Sequence, residues 1–99
     1  MKSILVVEDE PAIATGLKDD LELEEYRVDV AGDGVAALEA IGSKAYDLIL
    51  LDVMLPKKDG FSVCRELRAT GVRTPIILLT ARGEEADKIR GLRSVRTIM

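Results

Sequence analysis

Residues 46–60, YDLILLDVMLPKKDG, decide the fold that this sequence predicts. Residues 48–51 form an unbroken apolar run without alternation, which is typical of a strand covered on both faces by helices. Asp52 ends that run, and the pair Asp59-Gly60 closes a loop and begins the next helix. A charged group at the end of a buried strand is costly unless something pairs with it. Asp52 is therefore the first candidate functional residue.

Strands and helices alternate on both sides of this stretch. The apolar runs at 3–7 and 75–80 predict two more buried strands, and the alternating residues 27–31 predict a strand near the sheet edge. Helices are predicted at 11–24, 35–41 (ending at Gly42), 60–69 (ending at Gly71, with Phe61, Cys64 and Leu67 facing inward) and 84–92. This alternation predicts an α/β fold with a parallel sheet joined by right-handed crossovers.

Polar side chains stand at the ends of three of the predicted strands. Glu8 and Asp9 follow the first strand, Asp52 ends the central one, and Thr80 ends the strand at 75–80. The carboxyl ends of parallel strands lie at one edge of the sheet, where open α/β sheets bind their ligands. One such residue alone is more often a helix cap or a turn residue, but four at matching strand ends indicate a site.

The residue types at this edge indicate a divalent metal and phosphoryl chemistry. Three carboxylates repel one another unless a cation lies between them. Oxygen ligands in a chain without histidine favour Mg²⁺ or Mn²⁺ over zinc. Asp52 could then act as a nucleophile toward a phosphoryl group, with the Thr80 hydroxyl and the Ala81 N–H as hydrogen-bond donors to the transferred oxygens.

Composition narrows the class of protein. Ninety-nine residues predict one domain, and the net charge of −4 argues against binding to nucleic acid or to an anionic membrane. The apolar run after Met1 is too short for a signal peptide or a membrane span, so a cytoplasmic location is expected. The single cysteine, Cys64, is expected to be a small buried apolar residue.

Four segments, ILVVEDEP, AGDGVAALEAI, YDLILLDVMLPKKDGFSVCRELR and TPIILLTARGEEADKIRGL, resemble the receiver domain of bacterial response regulators in two-component signalling. The segments MLPKKDGFSVCRELR and LTARGEEADKIRGL are most similar in sequence to receivers that precede a winged-helix DNA-binding domain. The resemblance covers residues 2–92 and implies a flavodoxin-like, doubly wound parallel sheet with strand order 2-1-3-4-5.

The resemblance also implies roles for individual residues. Asp52 would be the phosphoacceptor, taking its phosphoryl group from a sensor histidine kinase. Asp9, Asp52 and the Met54 carbonyl would ligate Mg²⁺, with Glu8 supporting through water. Thr80 would be the switch hydroxyl. Such a domain is a phosphoprotein that assists its own phosphorylation and dephosphorylation and is not otherwise an enzyme.

The sequence departs from the family after Leu92. Residues 1–92 are expected to form an incomplete receiver domain and residues 93–99 an atypical tail, as in a truncated or rearranged chain. The family's fifth strand and fifth helix are therefore expected to be missing or replaced. Its phosphate-binding lysine has no counterpart beyond Lys88, and neither Arg93 nor Arg96 matches that motif.

This departure leaves alternatives for both structure and function. Without a fifth strand, the strand at 75–80 becomes an exposed edge, which favours self-association through that edge, unless residues 94–99 form a substitute strand. The alternative to a phosphoacceptor is a module that cannot switch and acts only in interaction or self-association. A phosphotransfer enzyme of the haloacid-dehalogenase type is disfavoured, because Met54 stands where that class has its second aspartate.

Overall fold

The computed structural model describes residues 1–80 and the backbone of residues 94–98. The strands are β1 (Ser3–Val7), β2 (Arg27–Ala31), β3 (Leu48–Asp52), β4 (Ile76–Thr80) and β5 (Ser94–Ile98), and the helices are α1 (Pro11–Leu23), α2 (Gly34–Ser43) and α3 (Gly60–Ala69). The helix predicted at 84–92 lies outside the described residues. None of the described helices combines the length and the apolar composition that a membrane span requires.

One five-stranded sheet forms the centre of the fold, with the order β2-β1-β3-β4-β5. The pairs β1–β2, β1–β3 and β3–β4 are all parallel. The α/β class, the parallel order 2-1-3-4 and the edge position of β2 are confirmed. Because these four strands run the same way, their carboxyl ends lie at one edge of the sheet.

The two faces of the sheet are covered unequally. On the face that carries α2 and α3, Ile49, Leu51, Ile76 and Leu78 are completely buried. On the opposite face α1 packs against β1 and β2, and a smaller cluster forms around Ile4, Val6 and Val28. The side chains of β3 and β4 that lie on the α1 face are only half-buried: Leu48, Leu50, Ile77 and Leu79. Among the described residues, burial is thus most complete on the face that carries α2 and α3.

The fifth strand is present, but it runs in the opposite direction to the others. β5 pairs with β4 in an antiparallel register that runs from Ile76↔Ile98 to Thr80↔Ser94. The substitute strand that the sequence left open is therefore found. The exposed edge expected on β4 is therefore not found, because β5 pairs with β4 along it. Self-association of the chain stays a prediction.

Two local predictions are also wrong. Gly42 does not end α2, which continues to Ser43. A glycine inside a helix weakens it by about 1 kcal/mol relative to alanine but does not break it. Phe61 does not face inward and is 42% exposed, since the buried face of α3 is formed by Val63, Cys64 and Leu67. Cys64 is buried, as predicted.

Candidate metal centre

Three carboxylates meet at the carboxyl edge of the sheet. Glu8, Asp9 and Asp52 each offer an oxygen, and these atoms all lie within 4.8 Å of one another. Glu8 and Asp52 are each only 2% exposed, whereas Asp9 is exposed to solvent. The structure therefore brings together all three acidic residues that the sequence singled out.

The turn after β1 places the first two carboxylates. The Glu8 N–H donates to the Ala31 carbonyl at 3.0 Å, which extends the pairing of β1 with β2 by one residue. The Glu8 side chain then turns back, and its Oε2 accepts a hydrogen bond of 3.0 Å from the Glu10 N–H. Pro11 begins α1 directly afterwards, where its missing N–H costs nothing. This short turn directs Glu8 and Asp9 toward the end of β3.

Asp52 is held by its own strand and by the residues that follow. It is the last residue of β3 and lies beside Leu79 of β4 in the parallel register. The Met54 N–H donates to Asp52 Oδ1 at 3.2 Å, and the Val53 N–H donates to the Leu79 carbonyl at 3.0 Å. The carboxylate is thus fixed between a buried strand and the first residues of the next loop.

The loop at 53–59 returns closely to its starting point. The Gly60 N–H donates to the Val53 carbonyl at 2.9 Å. A Cβ at Gly60 would lie 2.6 Å from the Asp52 carbonyl oxygen and 2.8 Å from Val53 Cα, so only glycine allows this approach. The Asp59 side chain then caps α3 by accepting from the Ser62 N–H at 2.8 Å.

A strained turn lies within this loop. The Lys58 N–H donates to the Pro56 carbonyl at 2.7 Å, and Lys57 between them has φ 70°. A hydrogen bond from residue i+2 to residue i around a residue of positive φ is a γ-turn, which costs a non-glycine residue about 1–3 kcal/mol. The surrounding structure must therefore hold the loop in place.

The positive side chains of the loop point to other partners. Lys57 Nζ lies 3.5 Å from Asp33 Oδ2, and Lys58 pairs with Glu66 of α3. The N–H of Ala36, and then the Lys57 ammonium, hold the pKa of Asp33 below its ordinary value. Neither loop lysine is positioned in these pairs to replace the phosphate-binding lysine that the resemblance implies.

A shallow cavity of about 500 Å³ opens next to the acidic cluster. It exposes Met54 and Phe61, which are 69% and 42% exposed. The full lining is Asp9, Val53, Met54, Leu55, Pro56, Asp59 and Phe61. The acidic cluster is therefore reached from solvent across a mostly apolar rim.

The structure describes the other two predicted site residues less fully. The backbone of Thr80 ends β4, one residue beyond the partner of Asp52, so it lies at the same edge of the sheet. Its side chain, and all of Ala81, lie outside the described residues. Their contacts with the acidic cluster stay predictions.

The cluster fits a hard divalent cation. It supplies only carboxylate oxygens, two of them on almost fully buried residues, and the described residues add the nearby backbone of Met54. Oxygen donors of this kind suit Mg²⁺, which binds to one or two carboxylates and keeps several waters. A cation between the three carboxylates would also offset their mutual repulsion.

The support for the loop at 53–59 comes from α2 and was not predicted from the sequence. A Cβ at Gly34 would overlap the Lys58 carbonyl oxygen and lie 2.7 Å from Lys58 Cβ. The sequence marks this position only as the second residue of an Asp-Gly pair, and such pairs usually indicate a turn. Here Asp33 caps α2 and Gly34 is its first residue.

Four parallel strands with an acidic cluster at their carboxyl ends are typical of α/β domains that bind a ligand at this edge of the sheet. Comparison with known proteins identifies the family. Residues 4–95 match the response regulator receiver domain, and the chain belongs to that family. It is therefore a receiver domain of the two-component type.

Individual relatives agree with this assignment. The alkaline phosphatase synthesis transcriptional regulatory protein PhoP of Bacillus subtilis is 50% identical over 91 residues, which are 92% of this chain and 38% of PhoP. The chain thus spans about two fifths of the length of that curated relative. A receiver domain of a Francisella response regulator has a TM-score of 0.82 at 36% identity, covering 92% of this chain and 75% of that one.

A third relative was solved with ligands. The response regulator TrrA of Thermotoga maritima, in complex with Mg²⁺ and BeF, has a TM-score of 0.78 at 41% identity. The alignment covers 89% of this chain and 80% of that structure. The fold and the family are consequently established from both sequence and structure.

Proposed function

We propose that this receiver domain accepts a phosphoryl group on Asp52 from a sensor histidine kinase, with Mg²⁺ bound at Glu8, Asp9 and Asp52. The observation that carries the proposal is the convergence of these three carboxylates within 4.8 Å at the carboxyl end of β3. The Mg²⁺ and BeF bound by the Thermotoga relative support the choice of metal.

Asp52 would act as the nucleophile. One of its carboxylate oxygens forms a bond to phosphorus, and the bond from phosphorus to the donor's imidazole nitrogen breaks with its electron pair remaining on that nitrogen. The product is an acyl phosphate. The hydrogen bond from the Met54 N–H to Asp52 Oδ1 fixes the direction of the carboxylate for this attack.

The other residues would bind and orient the reacting groups. Asp9 and Asp52 would ligate the metal directly, the Met54 carbonyl would complete the protein's share, and Glu8 would act through water. When bound, Mg²⁺ neutralises charge on the phosphoryl oxygens. The Thr80 hydroxyl and the Ala81 N–H donate to those oxygens, and Thr80 reports the modification by moving toward them.

The partner proposed for this chain is a protein. A net charge of −4 disfavours contact with nucleic acid, and the apolar rim around Met54 and Phe61 lies beside the phosphoacceptor, where a kinase domain has to approach. A cytoplasmic location agrees with this partner. DNA binding or another output would belong to a different part of a response regulator.

The proposal is tested by incubating the chain with Mg²⁺ and acetyl phosphate and measuring its intact mass. We expect the addition of one phosphoryl group, with acetate as the leaving group. Asp52→Asn keeps the size of the side chain but loses the nucleophile, so it should show no addition.

Two further results complete this test. Chelation of Mg²⁺ should suppress the labelling of the wild-type chain. Asp47→Asn, at an aspartate outside the acidic cluster, is the matched control and should label normally. Labelling that persists in Asp52→Asn would overturn the assignment of the phosphoacceptor.

A further inference from the structure

The amino end of α2 packs directly on the loop that follows Asp52. Gly34, the first residue of α2, is buried, and its Cα lies against the backbone of Lys58. An added Cβ would overlap the Lys58 carbonyl oxygen, which is a backbone atom and cannot rotate away. The absence of a side chain at Gly34 therefore sets how closely α2 and the loop approach.

Asp33 makes a second contact with the same loop. Its Oδ1 accepts from the Ala36 N–H at 2.8 Å, and its Oδ2 lies 3.5 Å from Lys57 Nζ. One carboxylate thus caps the helix with one oxygen and meets the loop with the other. Lys57 is the residue of positive φ in the γ-turn, so the contact is made at the strained point of the loop.

A displacement at this contact would reach the metal centre. The loop comprises only residues 53–59, and its two ends are pinned by the close approach of Gly60 to the Asp52 backbone. The Met54 N–H in the same loop holds Asp52 Oδ1. Because the ends cannot move apart, a shift of Lys58 has to be taken up by the residues between Asp52 and Gly60.

We propose that Gly34 and Asp33 are positioning residues for the metal centre. By supporting Lys57 and Lys58, the amino end of α2 sets the position of the loop, and through it the direction of the Asp52 carboxylate and of the Met54 backbone. The inference rests on the proposed function where it concerns Mg²⁺ affinity, but the placement of the loop can be measured without the metal.

The test compares two glycine-to-alanine variants of the same helix. Gly34→Ala adds a methyl group against Lys58, whereas Gly42→Ala adds one where nothing lies within 4 Å. The Mg²⁺ dissociation constant is measured by calorimetry. The amide chemical shifts of Met54 and Gly60 are measured by NMR without Mg²⁺.

We expect Gly34→Ala to weaken Mg²⁺ binding by about tenfold or more, which is typical when the support of a metal ligand is disturbed. The Met54 and Gly60 amides should shift in that variant. Gly42→Ala should bind Mg²⁺ within about twofold of wild type and leave both amides in place.

The outcomes separate this inference from the proposed function. A folded Gly34→Ala with wild-type Mg²⁺ affinity and unchanged amides would overturn the inference. If the wild-type chain itself does not bind Mg²⁺, the proposed function fails. The chemical shifts of the Met54 and Gly60 amides, measured without Mg²⁺, then decide whether Gly34 positions the loop.

A second pair of variants carries the test if Gly34→Ala does not fold. Asp33→Asn and Lys57→Gln both remove the ion pair with the loop, and asparagine remains a good helix cap. They change the net charge in opposite directions, so a long-range electrostatic effect would weaken Mg²⁺ binding in the first and strengthen it in the second. Positioning predicts weaker binding in both, and opposite effects or no effect would overturn it.

Discussion

At the scale of single residues, Tyr46 joins β2 to the segment before β3. Its hydroxyl donates to Asp29 Oδ2 at 2.7 Å, and Lys44 Nζ donates to the same oxygen at 2.8 Å. The Lys44 ammonium also lies 5.5 Å from the centre of the Tyr46 ring. The Lys44–Asp29 pair is about 40% exposed on both sides and contributes little by itself. The half-buried tyrosine is therefore the main support of this contact.

The protonation of Tyr46 should appear in the pH dependence of stability. Burial, and then the Asp29 carboxylate, raise the pKa of Tyr46 to about 12. A pKa raised by folding means that the neutral phenol contributes stability fully below its unfolded pKa of about 10 and loses it as the pH rises toward 12. Tyr46→Phe should cost about 1 kcal/mol near neutral pH, and this difference should shrink above about pH 10.

Urea unfolding of both proteins between neutral and alkaline pH measures this difference. Asp29→Asn is the matched control: it removes the charge but keeps an oxygen that can accept from Tyr46. Since burial is the largest single cause of the raised pKa of Tyr46, part of the pH dependence should remain in that variant. If Tyr46→Phe lowers the free energy of unfolding by the same amount at every pH, the neutral Tyr46 hydroxyl is not the source of the pH dependence.

At the scale of elements, β5 determines whether β4 is an edge. β4 is apolar, with Ile76 and Leu78 completely buried, and an exposed strand of this kind pairs readily with other chains. β5 covers it in an antiparallel register along its whole length. The strand that replaces the expected parallel partner thus closes the most association-prone edge of the sheet.

Proline substitutions at neighbouring positions test the pairing of β5. In an antiparallel ladder at a sheet edge, the N–H groups of successive residues point alternately toward the partner strand and toward solvent. Of Val95→Pro and Arg96→Pro, one therefore removes a hydrogen bond to β4 and should cost about 1–2 kcal/mol, while the other should be nearly neutral.

Urea unfolding measures the two stabilities, and sedimentation measures association. The damaging variant should also self-associate more strongly, because it uncovers the edge of β4. Equal stability of both variants and wild type would mean that β5 does not pair with β4 in solution.

At the scale of the whole molecule, a metal bound at the acidic cluster would link binding to folding. Glu8 and Asp9 follow β1, whereas Asp52 ends β3, and only the folded sheet places them within 4.8 Å of one another. A ligand that binds only the folded chain raises the free energy of unfolding. The increase grows with the logarithm of the ratio of ligand concentration to dissociation constant. Mg²⁺ should therefore stabilise the entire domain.

Thermal unfolding with and without Mg²⁺ measures this linkage. At ten times its dissociation constant, Mg²⁺ should add about 1.4 kcal/mol and raise Tm by roughly 5–10 °C for a domain of this size. Asp9→Asn should abolish the rise. A sodium salt at the same ionic strength controls for screening, and an equal rise with that salt would argue against a specific site.

Much of this protein follows from local patterns in its sequence. The apolar runs predicted β1, β3 and β4 almost to the residue, because strands inside a parallel sheet carry apolar side chains on both faces. Cover by helices on both faces is found only in part, since Leu48, Leu50, Ile77 and Leu79 are half-buried. The acidic cluster followed from one further rule, that parallel strands end at the same edge of the sheet. Glu8, Asp9 and Asp52 were found in this way, with the resemblance to receiver domains assigning their roles.

Contacts between distant segments were decided only by the tertiary structure. β5 runs antiparallel to β4, and no pattern within residues 94–98 encodes that direction. The close approach of Gly34 to Lys58 and the exposure of Phe61 likewise depend on how α2 and α3 pack around the loop after β3. Periodicity reports which face of an element is buried, whereas the distance between two backbones is determined by everything packed around them.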